Sequence, residues 1–526
     1  MEINPPLIVA LNFPPVFLGR LLHLSPALPY RIVVLLLAGA SLFATNRLLA
    51  GLMPGSATVR RGILLCGTLV LLPLAAVDYG EREHLALALL LPYVWLVAAR
   101  AREVAVPAGS AVLFGASAGL GLALKPYFLV VWVGLELYRR LRAGRVLGSA
   151  TPESLAVLTV LLVYGMGVLL VTPEYLELAA GLGPAYGRFL YKPAGELLMT
   201  APGAPLVYLA LLTYIALRPT GRHPEIQTAL LIACLGFFLA GVVQQKGLRY
   251  HFYPAFALAT LLLAMAAIDV AGELTTSARR LYRAVALATV LTVAALSVGT
   301  AVVRVAQPGW SRPTDVPFDR MVALVRRYAT GSSVFVFSHH IGSTFPLVTY
   351  AGVTSASRFP HLWILAAEYL DRMRAPGPLQ YRAPAEMGPA ERYMDDAVYA
   401  DLIHHAPALI LVLRNARDDP ANGLRRFDYL SYFERQPRFV RLFAGYGLVG
   451  TVGEYLVFRR LRQGETSTQA MRPVRSGALD VDLRSVAGTP LYGRDTLLTV
   501  GVFLAILACL GLREWKRRGR EPLPTP

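Results

Sequence analysis

The chain has 526 residues, of which 55% are hydrophobic and only 16% charged, and its mean hydropathy is +0.50. This composition excludes an ordinary water-soluble globule. The net charge of +18 would suggest nucleic acid as the partner of a soluble protein. Here the apolar residues form long runs, and in such a chain cations first report orientation, because cationic loops stay on the cytoplasmic side. We therefore predict an α-helical polytopic membrane protein without a nucleic-acid partner.

The apolar runs predict about eleven membrane spans, each long enough or nearly long enough to cross a bilayer. In chain order they are 31–50, 62–77, 84–100, 108–123, 126–139, 154–171, 201–217, 226–243, 252–270, 283–303 and 496–513. The run 6–22 contains Pro14, Pro15 and Arg20. We predict a helix lying on the membrane surface for this run rather than a twelfth span.

Arginine-bearing breaks alternate with breaks that carry few cations, which predicts a cytoplasmic C-terminus. The segments predicted to be extracytoplasmic are 1–30, 78–83, the turn at Lys125, 172–200, 244–251 and 304–495. Eleven spans would then place the N-terminus outside. We therefore expect a further span upstream of Met1.

A change of composition after residue 303 predicts an extracytoplasmic α/β domain over 304–461, distinct from the membrane part, 1–303. Short β-branched or apolar runs predict strands at 333–338, 408–413 and 454–460, and helical patterns cover 316–329 and 362–373. A polar linker, 462–494, then leads to the last span and a basic cytoplasmic tail, 495–526.

The loop within VDYGEREHLALALLLPY, residues 77–93, crowds ionisable side chains between two predicted spans. These are Asp78, Glu81, Arg82, Glu83 and His84. One or two acids would suffice to cap the following helix, and ionisable groups at a membrane are costly enough to favour a function. We predict a site for a sugar hydroxyl, a phosphate or a metal ion, with a solvated capping turn as the alternative.

The segment QQKGLRYHFYP, residues 244–254, is cationic and aromatic. Lys246, Arg249 and His251, with Tyr250 between them, suit a phosphate held at the interface while a lipid tail lies in the bilayer. The alternative is simple anchoring by tyrosine and snorkelling cations. Three of the four lysines fall on the predicted outer face, namely Lys125, Lys192 and Lys246, which favours the phosphate site.

Two further segments carry weaker signals. Glu174 and Tyr175 lie in the predicted outer loop 172–193 and could line a sugar site, although an interfacial helix explains them equally well. His339 and His340 follow a predicted strand, where sites often form, but a structural role is commoner for such a pair and we predict no metal site. The sequence contains no Walker A loop, GxGxxG fingerprint, HExxH or GxSxG motif.

Several stretches resemble the GT-C superfamily of membrane glycosyltransferases, especially its aminoarabinose- and mannosyl-transferase-like members. They are NPPLIVALNFPP at 4–15, ALKPYFLVVWVGLELYRR at 123–140 and KGLRYHFYP at 246–254. The resemblance implies a bacterial inner-membrane enzyme that takes sugar from a polyprenyl phosphate, with an acid of the first outer loop as base. In that family the acid precedes the NPPL-like stretch, and here only Glu2 does. Either a span with its acid precedes Met1, or Glu2 or the Asp78 loop takes its place.

We therefore predict an inverting hexosyl- or pentosyltransferase that moves a sugar from a polyprenyl-phosphate donor, in contact with membrane lipid, to an extracytoplasmic acceptor. The predicted catalytic acids are Asp78, Glu81 and Glu83. The predicted phosphate-binding residues are Lys246, Arg249, His251, Lys125 and Arg82, and the predicted lining residues are His84, Glu174, Tyr175, Tyr250 and Glu2. The carboxylates are compatible with Mg²⁺ or Mn²⁺ without requiring either. The alternatives are a transporter or flippase of lipid-linked sugars, and a non-catalytic scaffold.

Overall fold

The computed structural model divides the chain into two compact units. It describes residues 4–24, 27–75, 78–144, 150–217, 223–273, 318–345, 347–375, 379–413 and 427–465. Of these, we call 4–173 with 191–273 the membrane unit, and 174–190 with 318–465 the α/β unit. The predicted domain boundary at residues 303 and 304 lies outside the described residues and stays a prediction.

Helices follow one another through the amino-terminal half of the chain. They are α1 (Leu7–Leu21), α2 (Ala27–Leu52), α3 (Ala57–Leu71), α4 (Arg82–Ala101), α5 (Ala108–Ala123), α6 (Leu129–Arg142), α7 (Pro152–Val171), α8 (Pro173–Arg188), α9 (Ala194–Thr200), α10 (Ala204–Leu217), α11 (Pro224–Val243) and α12 (Arg249–Glu273). From Glu174 onward α8 belongs to the α/β unit.

Within the described residues, five helices are long and apolar enough to cross a membrane: α2, α4, α7, α11 and most of α12. The pair α9 and α10 would add a sixth span bent by 73°. Helices α3, α5 and α6 have 15, 16 and 14 residues, and at about 1.5 Å per residue they fall short of a roughly 30 Å hydrocarbon layer. The prediction of eleven spans is therefore not confirmed, and two of them, 283–303 and 496–513, lie outside the described residues.

Helix α4 forms the centre of the membrane unit. All of its residues except Arg82 and Arg100 are buried, and it packs against α2, α5, α11 and α12. A helix that is apolar on nearly every side is buried either among other helices or in the bilayer, and α4 is of the first kind. In contrast, α7 presents most of its apolar side chains at the surface, as a lipid-facing helix does.

The acids near the far end of α4 are paired within the protein. Glu136 on α6 accepts hydrogen bonds from Tyr93 Oη and, at 2.8 Å, from Arg139 Nη2. Glu153 at the start of α7 accepts from Arg100 Nε at 2.9 Å. These pairings neutralise both acids and give no support to the transporter alternative, which needs an ionisable group available near the membrane centre.

The α/β unit is built on a five-stranded sheet in the order β2–β1–β3–β5–β4. The strands are β1 (Ser333–Phe337), β2 (Thr354–Ser355), β3 (Leu409–Leu413), β4 (Tyr446–Val452) and β5 (Tyr455–Arg460), and the helices after α8 are α13 (Phe318–Ala329), α14 (Leu347–Ala351), α15 (Trp363–Glu368), α16 (Leu370–Arg374), α17 (Pro389–His405), α18 (Tyr429–Phe433) and α19 (Pro437–Phe443). Strand β1 is parallel to β2 and β3, whereas β5 is antiparallel to β3 and β4.

The three predicted strands are confirmed as β1, β3 and β5, within one residue at each end. Strands β1 and β3 are buried at every position, as expected of parallel strands covered on both faces. Strands β2 and β4 and helix α17 were not predicted. Strand β2 has only two residues, and β4 contains Gly447 and Gly450, which weaken a strand pattern.

Candidate active site

The acidic loop of the membrane unit, residues 78–81, is fixed in place by one tyrosine of α2 and one tyrosine of the loop itself. Tyr30 Oη donates to Gly80 O, and Tyr79 Oη donates to Arg31 O at 2.9 Å. Gly80 has φ +84°, and a Cβ there would lie 2.7 Å from Tyr30 Cε1. Only glycine allows both this left-handed turn and this close approach.

His84 closes the same loop onto α3. The backbone N–H of Gly80 donates to His84 Nδ1 at 3.0 Å, so the other ring nitrogen, Nε2, is the donor to Leu71 O at 2.8 Å. Both ring nitrogens are therefore occupied within the protein. Through these two contacts His84 holds the loop against α3, and its predicted lining role stays a prediction.

Asp78 and Arg249 join the two predicted motifs. Arg249 Nε lies 3.4 Å from Asp78 Oδ2, although 171 positions separate the two residues in the chain. Asp78 is buried, whereas about a third of the Arg249 side chain is exposed. The guanidinium is thus fixed by a carboxylate, with the Phe256 ring centroid 5.9 Å from its Cζ, and remains partly exposed.

Lys125 enters the cluster from the turn between α5 and α6. Its Nζ forms a buried ion pair with Glu83 Oε1 and donates to Gln244 Oε1 at 2.8 Å. Gln244 Nε2 in turn donates to Ala240 O at 2.9 Å, which fixes the orientation of the amide. Burial lowers the pKa of Lys125 to about 8, against the opposing effect of the Glu83 carboxylate. Two of the three ammonium protons are therefore used inside the protein.

His251 approaches the same oxygen of Glu83 that pairs with Lys125. His251 Nε2 lies 3.8 Å from Glu83 Oε1, and both side chains are fully buried. In the part of the chain that the structure describes, Glu83 Oε2 and both His251 ring nitrogens have no hydrogen-bond partner. Tyr250 lies beside them, with its ring centroid 5.6 Å from Lys125 Nζ and 4.4 Å from the His251 ring. Unsatisfied buried polar atoms are rare in native proteins and require an explanation.

Glu81 differs from the other two acids of the loop. It is half-buried, and within the described residues no ion pair includes it. Burial, together with the negative charge of Glu83, raises the pKa of Glu81 to about 7. A carboxyl group with that pKa changes its protonation state near neutral pH.

Lys246 and Arg82 complete the cluster. The charges of both act on His251, as does that of Lys125. Burial lowers the pKa of Lys246 to about 8. Its turn is held by Lys192, whose N–H donates to Gln245 O at 2.8 Å, and by Gly247, where φ is +62°. Arg82 Nη1 donates to Asn4 Oδ1, which ties the NPPL stretch to the acidic loop.

The structure thus brings together eight of the predicted site residues in one unit: Asp78, Glu81, Arg82, Glu83, Lys125, Lys246, Arg249 and His251, with Tyr250 beside them. Glu2 lies outside the described residues. Glu174 and Tyr175 lie on α8 in the α/β unit, so their lining role stays a prediction. No group of three or more histidine, cysteine or acidic side chains among the described residues could hold a metal ion.

Two residues of the cluster were not predicted. Gln244 stands at the start of the cationic segment, and Asn4 at the start of the NPPL stretch, but neither is charged or aromatic. A polar, uncharged residue next to a span end is common. Only the contact of Gln244 with Lys125, and that of Asn4 with Arg82, distinguishes these two residues from other polar residues at span ends.

No protein-family model matches the chain, and no curated protein matches its sequence. Among solved structures, the chain is similar to the crystal structure of ArnT from Cupriavidus metallidurans bound to undecaprenyl phosphate. The sequence identity is 12%, the TM-score is 0.50, and the match covers 87% of this chain and 88% of that one. At this identity the likeness shows the fold alone, which is mostly helical with several apolar helices.

Proposed function

We propose that the chain is an inverting GT-C-type glycosyltransferase that moves a sugar from a polyprenyl-phosphate donor to an extracytoplasmic acceptor. One observation carries the proposal. Acids from the 78–83 loop and cations from Lys125 and from 244–254 meet in a single cluster at the ends of apolar helices. The ArnT-like fold supports it, because that protein was bound to undecaprenyl phosphate.

Four cations would hold the donor phosphate. Arg249 is held by Asp78 and is about one third exposed, and the Lys125 ammonium keeps one proton after its contacts with Glu83 and Gln244. Lys246, in the same 244–254 segment as Arg249, and Arg82, at the start of α4, add positive charge. Cations fixed in advance stabilise the charge that develops on a departing phosphate without reorganising during the reaction.

Glu81 would act as the general base. Asp78 and Glu83 are each engaged by a cation, whereas Glu81 is in no ion pair of the described residues and its pKa is raised to about 7. Its carboxylate would take the proton of the acceptor hydroxyl while that oxygen attacks the anomeric carbon. The bond from this carbon to the phosphate oxygen breaks on the opposite face, its electron pair leaves with the phosphate, and the configuration inverts.

The membrane orientation follows from the charge pattern. Arginine-rich loops alternate with the loops that supply the cluster, so the cluster would face the extracytoplasmic side. The polyprenyl tail would lie along the apolar helices while its phosphate remains at the interface.

The test is transfer of labelled sugar from a panel of polyprenyl-phosphate donors by the purified full-length protein. We expect Glu81→Gln to lower the rate by about 10²–10⁴-fold, the usual contribution of a general base. Glu196→Gln is the matched control, because Glu196 is an exposed acid of the same unit that pairs only with Lys192 among the described ion pairs. Full activity in Glu81→Gln would contradict the assignment of the base, and transfer by no donor would contradict the function.

A further inference from the structure

At the carboxyl end of β1 in the α/β unit, the chain connections lead to strands on opposite sides of β1. From β1 the chain crosses to β2 on one side, and from β2 it returns to β3 on the other side of β1. The carboxyl ends of the parallel strands β1 and β3 therefore mark a topological switch point. In open α/β sheets such points form crevices in which ligands bind.

Polar side chains collect at this edge directly after β1. Ser338, His339 and His340 follow the strand, and the rings of the two histidines lie 4.1 Å apart. Ser343 Oγ and Tyr455 Oη share a hydrogen bond, and Ser338 Oγ lies 3.4 Å from both oxygens. Tyr455 begins β5, opposite the last residue of β3. The three hydroxyl groups thus connect β5 with the loop that follows β1.

His361 reaches the same edge from the loop after β2. The N–H of Leu362 donates to Ser338 O at 2.8 Å, which places His361 next to the strand end. Within the described residues His361 Nδ1 is buried and has no hydrogen-bond partner. Burial, followed by the charge of His340, lowers the pKa of His361 to about 4, so its ring is neutral at physiological pH.

The surface of this edge mixes apolar and polar groups. A turn at 341–345, closed by a hydrogen bond of 2.9 Å from Phe345 N to Ile341 O, presents both side chains to solvent. Ile341 is 49% exposed and Phe345 is 40% exposed. His340 and Ser343 beside them are half-buried. Exposed apolar side chains are informative only when they lie next to convergent polar groups, as they do here.

We propose that this edge of the α/β unit binds a neutral saccharide. Neutral imidazole and hydroxyl groups each donate and accept hydrogen bonds, which matches sugar hydroxyls. Phe345 and Ile341 offer an apolar surface to the C–H face of a sugar ring. A phosphate would require fixed cations, and the nearest described arginine of the loop after β2, Arg358, is held by Asp401 at 2.8 Å. The inference does not depend on the proposed transferase activity.

The test is saturation-transfer difference NMR on the full-length protein in lipid nanodiscs. The probes are free glucose, galactose, mannose and N-acetylglucosamine, with inorganic phosphate as a competitor. The variants are His340→Ala, at a half-buried position of the loop after β1, and His361→Gln. The control is His404→Ala, because His404 and His405 form a second histidine pair at the end of α17, just before β3 and therefore at the opposite edge.

We expect at least one sugar to receive saturation from the wild type, and both His340→Ala and His361→Gln to reduce that transfer at least about fivefold. His404→Ala should leave it unchanged, and phosphate should not compete. The inference is overturned by no sugar signal in the wild type, by equal signals in all variants, by equal loss in His404→Ala, or by displacement with phosphate.

Discussion

Two buried glutamates, one in each unit, are treated very differently by their surroundings. Glu391 in the α/β unit accepts hydrogen bonds from Tyr369 Oη at 2.6 Å, Tyr432 Oη at 3.0 Å and Arg382 Nη1 at 2.7 Å. Glu83 in the membrane unit accepts a hydrogen bond from Lys125 Nζ at one carboxylate oxygen. Its other oxygen has no hydrogen-bond partner among the described residues. A fully satisfied buried acid helps to specify a unique core, whereas a partly satisfied one requires an explanation, and the one we propose for Glu83 is a bound ligand.

Lys125→Met should produce the largest change, because it removes a phosphate cation and leaves Glu83 buried without its counter-charge. We expect a loss of about 3–5 kcal/mol in stability, as for other broken buried pairs, together with loss of sugar transfer. The double variant Lys125→Met, Glu83→Gln removes the stranded charge. It should recover most of the thermal stability and none of the transfer. Wild-type transfer by the double variant would show that Lys125 does not hold the donor.

Glu391→Gln sharpens the comparison from the other side. It weakens three hydrogen bonds and leaves Arg382 partly uncompensated, so we expect a stability loss of about 1–3 kcal/mol. The transfer rate per folded molecule should equal that of the wild type. Thermal unfolding and transfer measured on the same preparation check both points. A drop in transfer as large as that of Glu81→Gln would break the distinction between the two glutamates.

The pH dependence of transfer should be bell-shaped. Glu81, with a pKa raised to about 7, must be deprotonated to act as base, so the rate should rise with pH through that value. Lys125, with a pKa lowered to about 8, must be protonated to hold phosphate, so the rate should fall above that value. The residual activity of Glu81→Gln should lose the rise and keep the fall. An unchanged rise in that variant would assign it to another group.

Gln244→Leu should have the smallest effect, because Gln244 acts only by holding the Lys125 ammonium. We expect about tenfold weaker donor binding, or about 1.4 kcal/mol, with little change in the maximal rate. Gln227→Leu is the matched control, since Gln227 is a buried glutamine at the other end of the same helix. Equal losses in both variants would indicate a general effect on α11.

The sequence predicted one site made of the acidic loop, the cationic segment and Lys125, but not the contacts within it. The acidic loop and the cationic segment were each predicted from local crowding of charge, whereas the pairing of Asp78 with Arg249 depends on how α3, α4 and α12 pack. Gln244 carries no local signal at all. In the α/β unit the continuous apolar strands β1 and β3 were predictable. The two-residue β2 was not, because backbone pairing with β1, rather than its own residues, creates it.

The count of eleven spans is not confirmed, for a related reason. Hydropathy detects apolar runs, but it does not distinguish a helix that crosses the bilayer from a shorter one packed against its neighbours. Helices α3, α5 and α6 are of the shorter kind. Only their observed lengths separate them from α2 and α11.

The most direct measurement compares the binding of undecaprenyl phosphate and of the uncharged alcohol undecaprenol to the protein in nanodiscs. If the cluster around Glu83 and Lys125 holds a phosphate, the phosphate form should bind at least about tenfold more tightly, or about 1.4 kcal/mol. Arg249→Gln should remove most of that difference, while Arg188→Gln in the α/β unit should preserve it. Equal affinity for the two lipids, or an unchanged preference in Arg249→Gln, would contradict the proposed role of the cluster.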